Sequence, residues 1–254
     1  MKSLEFSGER VVPGQTPLEL ISEHEQRYNF AAQFVKGQVV LDIACGSGMG
    51  SEFLLRSGAK KVTGVDIDAE AVAFASRQYP KVDFMRGDAS SHIPLPDASV
   101  DVVVSFETIE HFANQERFLE ECRRVLKPGG KFICSSPNLD VSRWGEPNPF
   151  HVKELRPKEF VGIMERFFSP ATDSHTAGTF AQQEILYPKW VARALARKVV
   201  EKIGLKPILK RLLNIQPGPT ATNDHFVERL HSMTPYRHKR LYRPVYLIYV
   251  GQKS

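Results

Sequence analysis

Three cysteines in 254 residues, Cys45, Cys122 and Cys134, are odd in number and stand in no CxxC pair. Nothing in that count supports a disulfide framework or a zinc knuckle. No apolar run reaches the roughly 20 residues that a membrane-spanning helix needs. The opening segment MKSLEFSGERVVPG lacks the apolar stretch of a secretory signal. No internal repeat or low-complexity tract interrupts the chain. These absences predict a reduced, cytoplasmic protein. Charge of one sign is scarcely in excess: 34 Lys and Arg stand against 29 Asp and Glu, a net charge of +5, which is too weak to declare a nucleic-acid binder. With 42% hydrophobic and 25% charged residues, the composition suits an ordinary globular core. The length suits one large α/β domain, or one with a sizeable insertion.

What the chain does have is alternation. LELISEHEQRYNFAAQFV reads as an amphipathic helix with Leu20, Tyr28, Ala31, Ala32 and Val35 on its apolar face. VVLDIA, KVTGVDI, VDFMRGD, VDVVVS and KFICSS are short β-branched or apolar runs. Helical stretches lie between them: GSEFLLRSG closed by Gly58, AEAVAFASRQY capped by Asp68, and NQERFLEECRRVL stopped by Pro128-Gly129-Gly130. Strands alternating with helices predict βαβ units and a parallel sheet covered on both faces. After residue 137 the pattern loosens into the long loop NLDVSRWGEPNPFHVKEL, the helix RPKEFVGIMERFF, a basic stretch over 187–213, and a final strand in PVYLIYVGQK. The expected organisation is a helical lid over 1–37, a core over 38–180, a basic helical cap over 181–240 and a final core strand over 241–254.

The glycine-rich turn in VVLDIACGSGMGSEFLL decides which ligand the sheet holds. No lysine follows the glycines before Lys60, so it is not a phosphate-binding P-loop. Gly46, Gly48 and Gly50 give G-x-G-x-G, one position short of the dinucleotide fingerprint G-x-G-x-x-G. Asp42, four residues upstream, would repel a pyrophosphate and suits a ligand carrying positive charge. S-adenosylmethionine (SAM), with its sulfonium and ammonium groups and no phosphate, is such a ligand. Asp66 ends the second strand, where an acid can accept from both ribose hydroxyls, and Asp88 follows the third, where it can accept from an adenine amino group. Open α/β sheets bind ligands at those carboxyl ends. An NAD-dependent dehydrogenase is disfavoured by Asp42 and by the glycine spacing.

As an ordered set, D-x-A-C-G-S-G, G-V-D-I, G-D-A, S-F-E-T-I-E-H and L-K-P-G-G resemble the class I SAM-dependent methyltransferases over about residues 38–137. The closest likeness is to the small-molecule branch that includes quinone-biosynthesis and polysaccharide-cluster enzymes. The resemblance implies a Rossmann-like sheet of seven strands, mostly parallel, with an antiparallel C-terminal strand, helices on both faces and a helical insertion before the last strand. It also implies SAM contacts at Asp42, Ala44, Gly46, Gly48, Asp66, Ile67, Asp88, Ala89 and Phe106. Arg10, His24, Arg27 and Tyr28 are candidates for the SAM carboxylate or for a lid, with Arg27 assigned to the cofactor. The alternative is a SAM-binding module without catalysis.

Methyl transfer to an alcohol oxygen needs a base or a metal. His111, with Glu110 beside it, follows the fourth strand. His151 lies in the long loop after the fifth, so two histidines from two loops meet at one sheet edge as candidate bases. Glu107, Glu110 and His111 form E-x-x-E-H, and with His151 they resemble the Mg²⁺ or Mn²⁺ site of small-RNA 2′-O-methyltransferases. The single histidine in NPFHVKEL departs from that family. The acceptor expected is a sugar-containing or other small molecule, anionic if the basic segment attracts it, with RNA ends as the alternative. The 187–213 stretch carries Lys189, Arg193, Arg197, Lys198, Lys202, Lys206, Lys210 and Arg211 against Glu201. It reads as a helical cap, or as a peripheral contact with an anionic membrane.

Overall fold

The computed structural model describes residues 10–12, 14–170, 178–202, 233–236 and 242–254. In chain order these form α1 (Leu18–Ala32), β1 (Val39–Ile43), α2 (Met49–Arg56), β2 (Lys61–Asp66), α3 (Ala69–Gln78), β3 (Asp83–Arg86) and β4 (Val100–Ser105). There follow α4 (Gln115–Val125), β5 (Leu126–Pro137), α5 (Leu139–Ser142), α6 (Pro157–Phe167), β6 (Ser169–Pro170), β7 (Gly178–Leu186), α7 (Tyr187–Lys202), β8 (Thr234–Pro235) and β9 (Tyr242–Gln252). One sheet runs β3-β2-β1-β4-β5-β9-β7-β8, with β6 beside β9. The first five strands pair in parallel, whereas β9 is antiparallel to both β5 and β7. The expected antiparallel C-terminal strand is therefore present.

Among the described residues the sheet has nine strands rather than seven. The two extra ones, β6 and β8, are two-residue pairings. A second difference is β7, which the sequence reading left between the core and the basic cap. Its run Gln182-Gln183-Glu184 hides the strand pattern, and Gln183 takes a left-handed φ of 53° where the ladder to β9 skips a residue. The basic segment is helical over Tyr187–Lys202, and its remainder, 203–213, lies outside the described residues. Among the described residues, no helix is long and apolar enough to cross a membrane.

Strand alternation divides the core into two layers. Leu41, Ile43, Val103 and Phe132 face α4 and α6, packing on Phe118, Leu119, Phe160 and Met164. Val40, Val102 and Val104 face α1 and α2, packing on Tyr28, Ala31, Val35 and Leu54. Leu20, expected on the apolar face of α1, is instead 39% exposed, while the polar residues Glu25, Gln26 and Arg27 are buried. A helix that buries polar side chains against a sheet marks a place where the core gives way to a site.

The same alternation points Asp42 of β1 into the α1–α2 layer with Val40. Its carboxylate is fully buried and accepts from Ser51 Oγ at 2.6 Å and from the Tyr28 hydroxyl at 3.1 Å. One acid thus ties the central strand to the two helices above it. Burial pushes this carboxyl up to about 7, and the hydrogen bonds from Ser51 and Tyr28 only partly offset it. The folded chain therefore keeps the Asp42 proton to higher pH than the unfolded chain does. Its stability falls as pH rises from about 4 to about 7 and is level above that, with a total on the order of 4 kcal/mol. Asp42→Asn should remove this slope. Urea unfolding of ligand-free protein at about pH 5 and about pH 8 checks it: wild type loses stability between the two, and the variant loses much less.

Candidate functional site

Two cavities open at the carboxyl ends of the parallel strands, and they share a wall. The first has a volume of about 430 Å³ and follows the ends of β1, β2 and β3. Ala44, Gly46, Asp66 and Ile67 line it from the first two strands, Asp88 and Ala89 from the third, and Phe106 from β4. The carboxylate of Asp66 accepts from the backbone N–H of Gly46 on Oδ2 at 2.8 Å and from that of Asp68 on Oδ1 at 2.9 Å. Each oxygen has two lone pairs, so each retains one for a hydroxyl in the cavity. Asp88 accepts from the backbone and hydroxyl of Ser90 through Oδ1. Those bonds, Ser90's hydroxyl foremost, hold its carboxyl below the usual range, and it is charged at neutral pH.

The glycines of the turn have separate reasons. Gly46 lines the cavity at φ 54°, and its backbone N–H orients Asp66. Gly48, assigned to the cofactor from the sequence, does not line the cavity. It caps α2 at φ 80°, and a Cβ there would stand 2.6 Å from the Phe84 ring and 2.7 Å from Ala75. Its need is close packing beneath the turn. At Gly50 a Cβ would fall 2.0 Å from the Tyr28 ring, so this glycine lets Tyr28 reach Asp42. Asp42 itself does not line the cavity; Tyr28 does, and it carries the hydroxyl bonded to that acid. Arg10, from the loop before α1, lines the cavity while ion-paired with Asp68, which also caps α3 by accepting from Glu70 N–H. Cys45 is buried, and burial pushes its thiol well up, which leaves it inert.

The second cavity, about 550 Å³, lies between α1, the start of β9 and the loop after β5. Arg27 lines this cavity and not the first, which differs from its assignment to the cofactor. Arg27 is 1% exposed, donates to Gln182 Oε1 at 2.9 Å and lies 4.7 Å from the Tyr246 ring centre. Its Nε is buried without a partner, and no described residue forms an ion pair with it. Gln182 is held in turn by the carbonyl of Glu23 and the side chain of Gln26. Neither Gln182 nor Tyr246 was legible as a site residue, because each sits in a segment whose sequence reads only as edge strand or insertion.

His24, Glu107 and His111 line both cavities. Glu107 takes φ 52° and Ala44 takes φ 55°, at the ends of the paired strands β4 and β1. Left-handed non-glycine residues are strained, and this pair turns the chain sharply away from the sheet where the cavities meet. The carboxylate of Glu107 accepts from Ser135 Oγ at 2.6 Å. Glu110, in the 3₁₀ turn Ile109–His111, is fully buried. Its Oε2 accepts from Ser136 Oγ at 3.3 Å, and its Oε1 has no partner. Burial first, and the Glu107 charge second, hold its carboxyl well above the usual range.

The structure brings the two predicted histidines together, with ring centres 5.0 Å apart in an edge-to-face contact. His111 Nδ1 donates to the Phe150 carbonyl at 3.0 Å, since a carbonyl can only accept, and this leaves the lone pair on Nε2. His151 bonds Glu154 through Nδ1 and Asn148 through Nε2. Glu154 also accepts from Ser142. The His151–Glu154 spacing of i, i+3 was a signal available in NPFHVKEL. Glu110, His111 and His151 each offer one ligand atom within 4.8 Å of the others, a set that leaves out Glu107.

The methyltransferase domain family matches residues 41–134. A protein of Mycolicibacterium smegmatis named as a probable S-adenosylmethionine-dependent methyltransferase is 41% identical over 167 residues, which is 64% of this chain and 64% of that protein. The chain thus spans just under two thirds of the length of that relative. A phthiotriol/phenolphthiotriol dimycocerosates methyltransferase of Mycobacterium ulcerans is 28% identical over 70% of this chain and 68% of its own length. Among solved structures, an S-adenosylmethionine-dependent methyltransferase from Mesorhizobium loti superposes with a TM-score of 0.52 at 17% identity, covering 89% of this chain and 96% of the other, a likeness of fold. Taken with the ordered motifs at the strand ends, these matches make residues 41–134 similar to the SAM-dependent methyltransferases.

Proposed function

We propose that the protein transfers a methyl group from SAM to a hydroxyl of a sugar-containing or other small-molecule acceptor. The observation that carries this reading is the shared wall: His24, Glu107 and His111 face both cavities, so two ligands can meet there. In the first cavity Asp66 holds the ribose hydroxyls, Asp88 and Ala89 take the adenine, and the turn around Gly46 takes the methionine end. Tyr28, backed by Asp42, faces the cationic part of the donor. When bound, the sulfonium supplies an already activated methyl group. The protein has only to align the acceptor oxygen and to remove its proton.

His111 is the base in this reading. The lone pair on Nε2 accepts the hydroxyl proton as the oxygen attacks, and the Phe150 carbonyl steadies the Nδ1–H side of the ring. His151, locked by Glu154 and Asn148, packs edge to face on His111 and fixes its orientation. Arg27, buried and without an ion pair among the described residues, suits an acceptor that carries an anionic group in the second cavity. The name of the Mycobacterium ulcerans relative, built on a triol, is in keeping with an alcohol acceptor.

A second reading has one observation in its favour. Glu110, whose buried Oε1 has no partner, offers a carboxylate oxygen within 4.8 Å of ligand atoms on His111 and His151. Two imidazoles and a carboxylate are an acceptable divalent set. With Mg²⁺ or Mn²⁺ bound there, a vicinal diol such as an RNA 3′ end would become the natural acceptor, and the metal would supply the acidity that the histidine base otherwise provides.

Asp66→Ala should weaken SAM binding by roughly 1–3 kcal/mol, the range for losing charge-assisted hydrogen bonds; calorimetric titration that finds unchanged affinity removes Asp66 from the donor site. His111→Ala should leave SAM affinity intact and lower turnover about 10²–10⁴-fold. The assay is S-adenosylhomocysteine release across a panel of sugar and small-molecule alcohols, and undiminished turnover would refute the base assignment. The same assay after EDTA treatment separates the two readings: activity that survives chelation selects the histidine base, and activity restored only by Mg²⁺ or Mn²⁺ selects the metal.

A further inference from the structure

We propose that α7 is an interfacial helix that seats the acceptor-side edge of the protein on an anionic lipid bilayer. The inference starts from the burial of this helix. Ala194 is buried and marks the side turned to the protein. Ala192, Leu195 and Ala196 are exposed, and their i, i+3, i+4 spacing makes them one row along the helix; Leu195 is 48% exposed. Lys189 and Lys202, one near each end, are exposed as well. An ordinary surface helix turns its apolar stripe inward, whereas this helix also carries an apolar row outward, between exposed cations.

Charge complementarity selects the occupant. Over its 16 residues α7 carries Lys189, Arg193, Arg197, Lys198 and Lys202 against the single acid Glu201. The whole chain has a net charge of +5, so this one helix holds four of those positive charges in excess. An excess of cations beside an exposed leucine suits the headgroup layer of an anionic lipid surface, where each basic residue adds attraction.

Sheet topology places the start of this helix at the relevant edge. β7 and β5 are both antiparallel to β9 and so run in the same direction, and β7 ends at Leu186 opposite Tyr242. Four residues further along β9 stands Tyr246, in the wall of the second cavity. The apolar side chains Leu20, in that cavity's wall, and Phe150, between Asn148 and His151, are exposed at the same edge. A bilayer docked there would meet the cavity assigned to the acceptor. The docking itself does not rest on methyl transfer.

Co-sedimentation of the full chain with vesicles tests the proposal. Vesicles of phosphatidylglycerol and phosphatidylcholine in equal parts should bind roughly tenfold or more tightly than pure phosphatidylcholine, and high salt should erase the difference. The triple variant Lys189→Glu, Leu195→Glu, Lys202→Glu changes only exposed positions. It should lose vesicle binding while keeping the circular dichroism spectrum and the S-adenosylhomocysteine affinity of the parent. Should the triple variant disturb the fold, Lys189→Glu with Lys202→Glu alone should still weaken binding. Equal affinity for the two vesicle types, no binding to either, or full binding by a folded variant would overturn the proposal. Light scattering that shows a dimer of the parent, lost in the variant, without vesicle binding would overturn it in favour of a second copy on this face. Loss of SAM binding in the parent would strike the donor reading and leave this one standing.

Discussion

The hydrogen bonds to Asp42 are what the rest of the site hangs on. A carboxylate inside an apolar layer is expensive unless it is held, and here it is held by a hydroxyl from each of two helices, Tyr28 on α1 and Ser51 on α2. Holding it fixes where both helices sit over the central strand. That in turn sets the position of Tyr28 at the mouth of the first cavity, and of Arg27 and His24, its neighbours on α1, at the second. Gly50 is part of the same arrangement, because the Tyr28 ring occupies the space any side chain there would take. The acid expected from the sequence to contact the ligand lies outside the wall of the first cavity, and Tyr28, which donates to it, lines that wall.

Strand ends supply the second constraint. Where a strand stops and the chain must leave the sheet sharply, the backbone takes left-handed dihedrals at Ala44 and Glu107, and glycine serves at Gly46 and Gly48. This geometry frees backbone N–H groups to point at Asp66, and it swings Glu107 and His111 over the seam between the cavities. Strain of this kind persists only where the surroundings enforce it. At Glu107 they do so through Ser135, whose hydroxyl accepts from the Glu107 backbone N–H and donates to its side chain.

Much of this could be read from residues alone, and the reason is periodicity. The runs Val39–Ile43, Lys61–Asp66 and Val100–Ser105 are rich in valine and other β-branched residues, so their burial in a parallel sheet was legible, as were Asp42 within the first and Asp66 at the end of the second. The histidine pair was legible as two loops meeting at one edge. What was not legible depends on long-range burial. Nothing local distinguishes Gly48, which serves packing on Phe84, from Gly46, which faces the cavity. Nothing in LELISEHEQRYNFAAQF says that Leu20 is exposed while Arg27 is buried. β7 was hidden because its polar run Gln182-Gln183-Glu184 interrupts the apolar pattern on which strand recognition relies.

The walls of the two cavities differ in how far apart their parts lie along the chain. The first is built within residues 10–112, mostly from consecutive strand ends, whereas the second is closed by bonds such as Arg27 to Gln182 and Tyr246 to Glu23, separated by 155 and 223 positions. Short-range contacts close smaller loops and form at lower entropic cost than those that join distant segments. The first cavity can therefore be assembled before the wall of the second exists. For the same reason, the late segments around Gln182 and Tyr246 can be redrawn while the walls of the first cavity, none of which they supply, stay as they are.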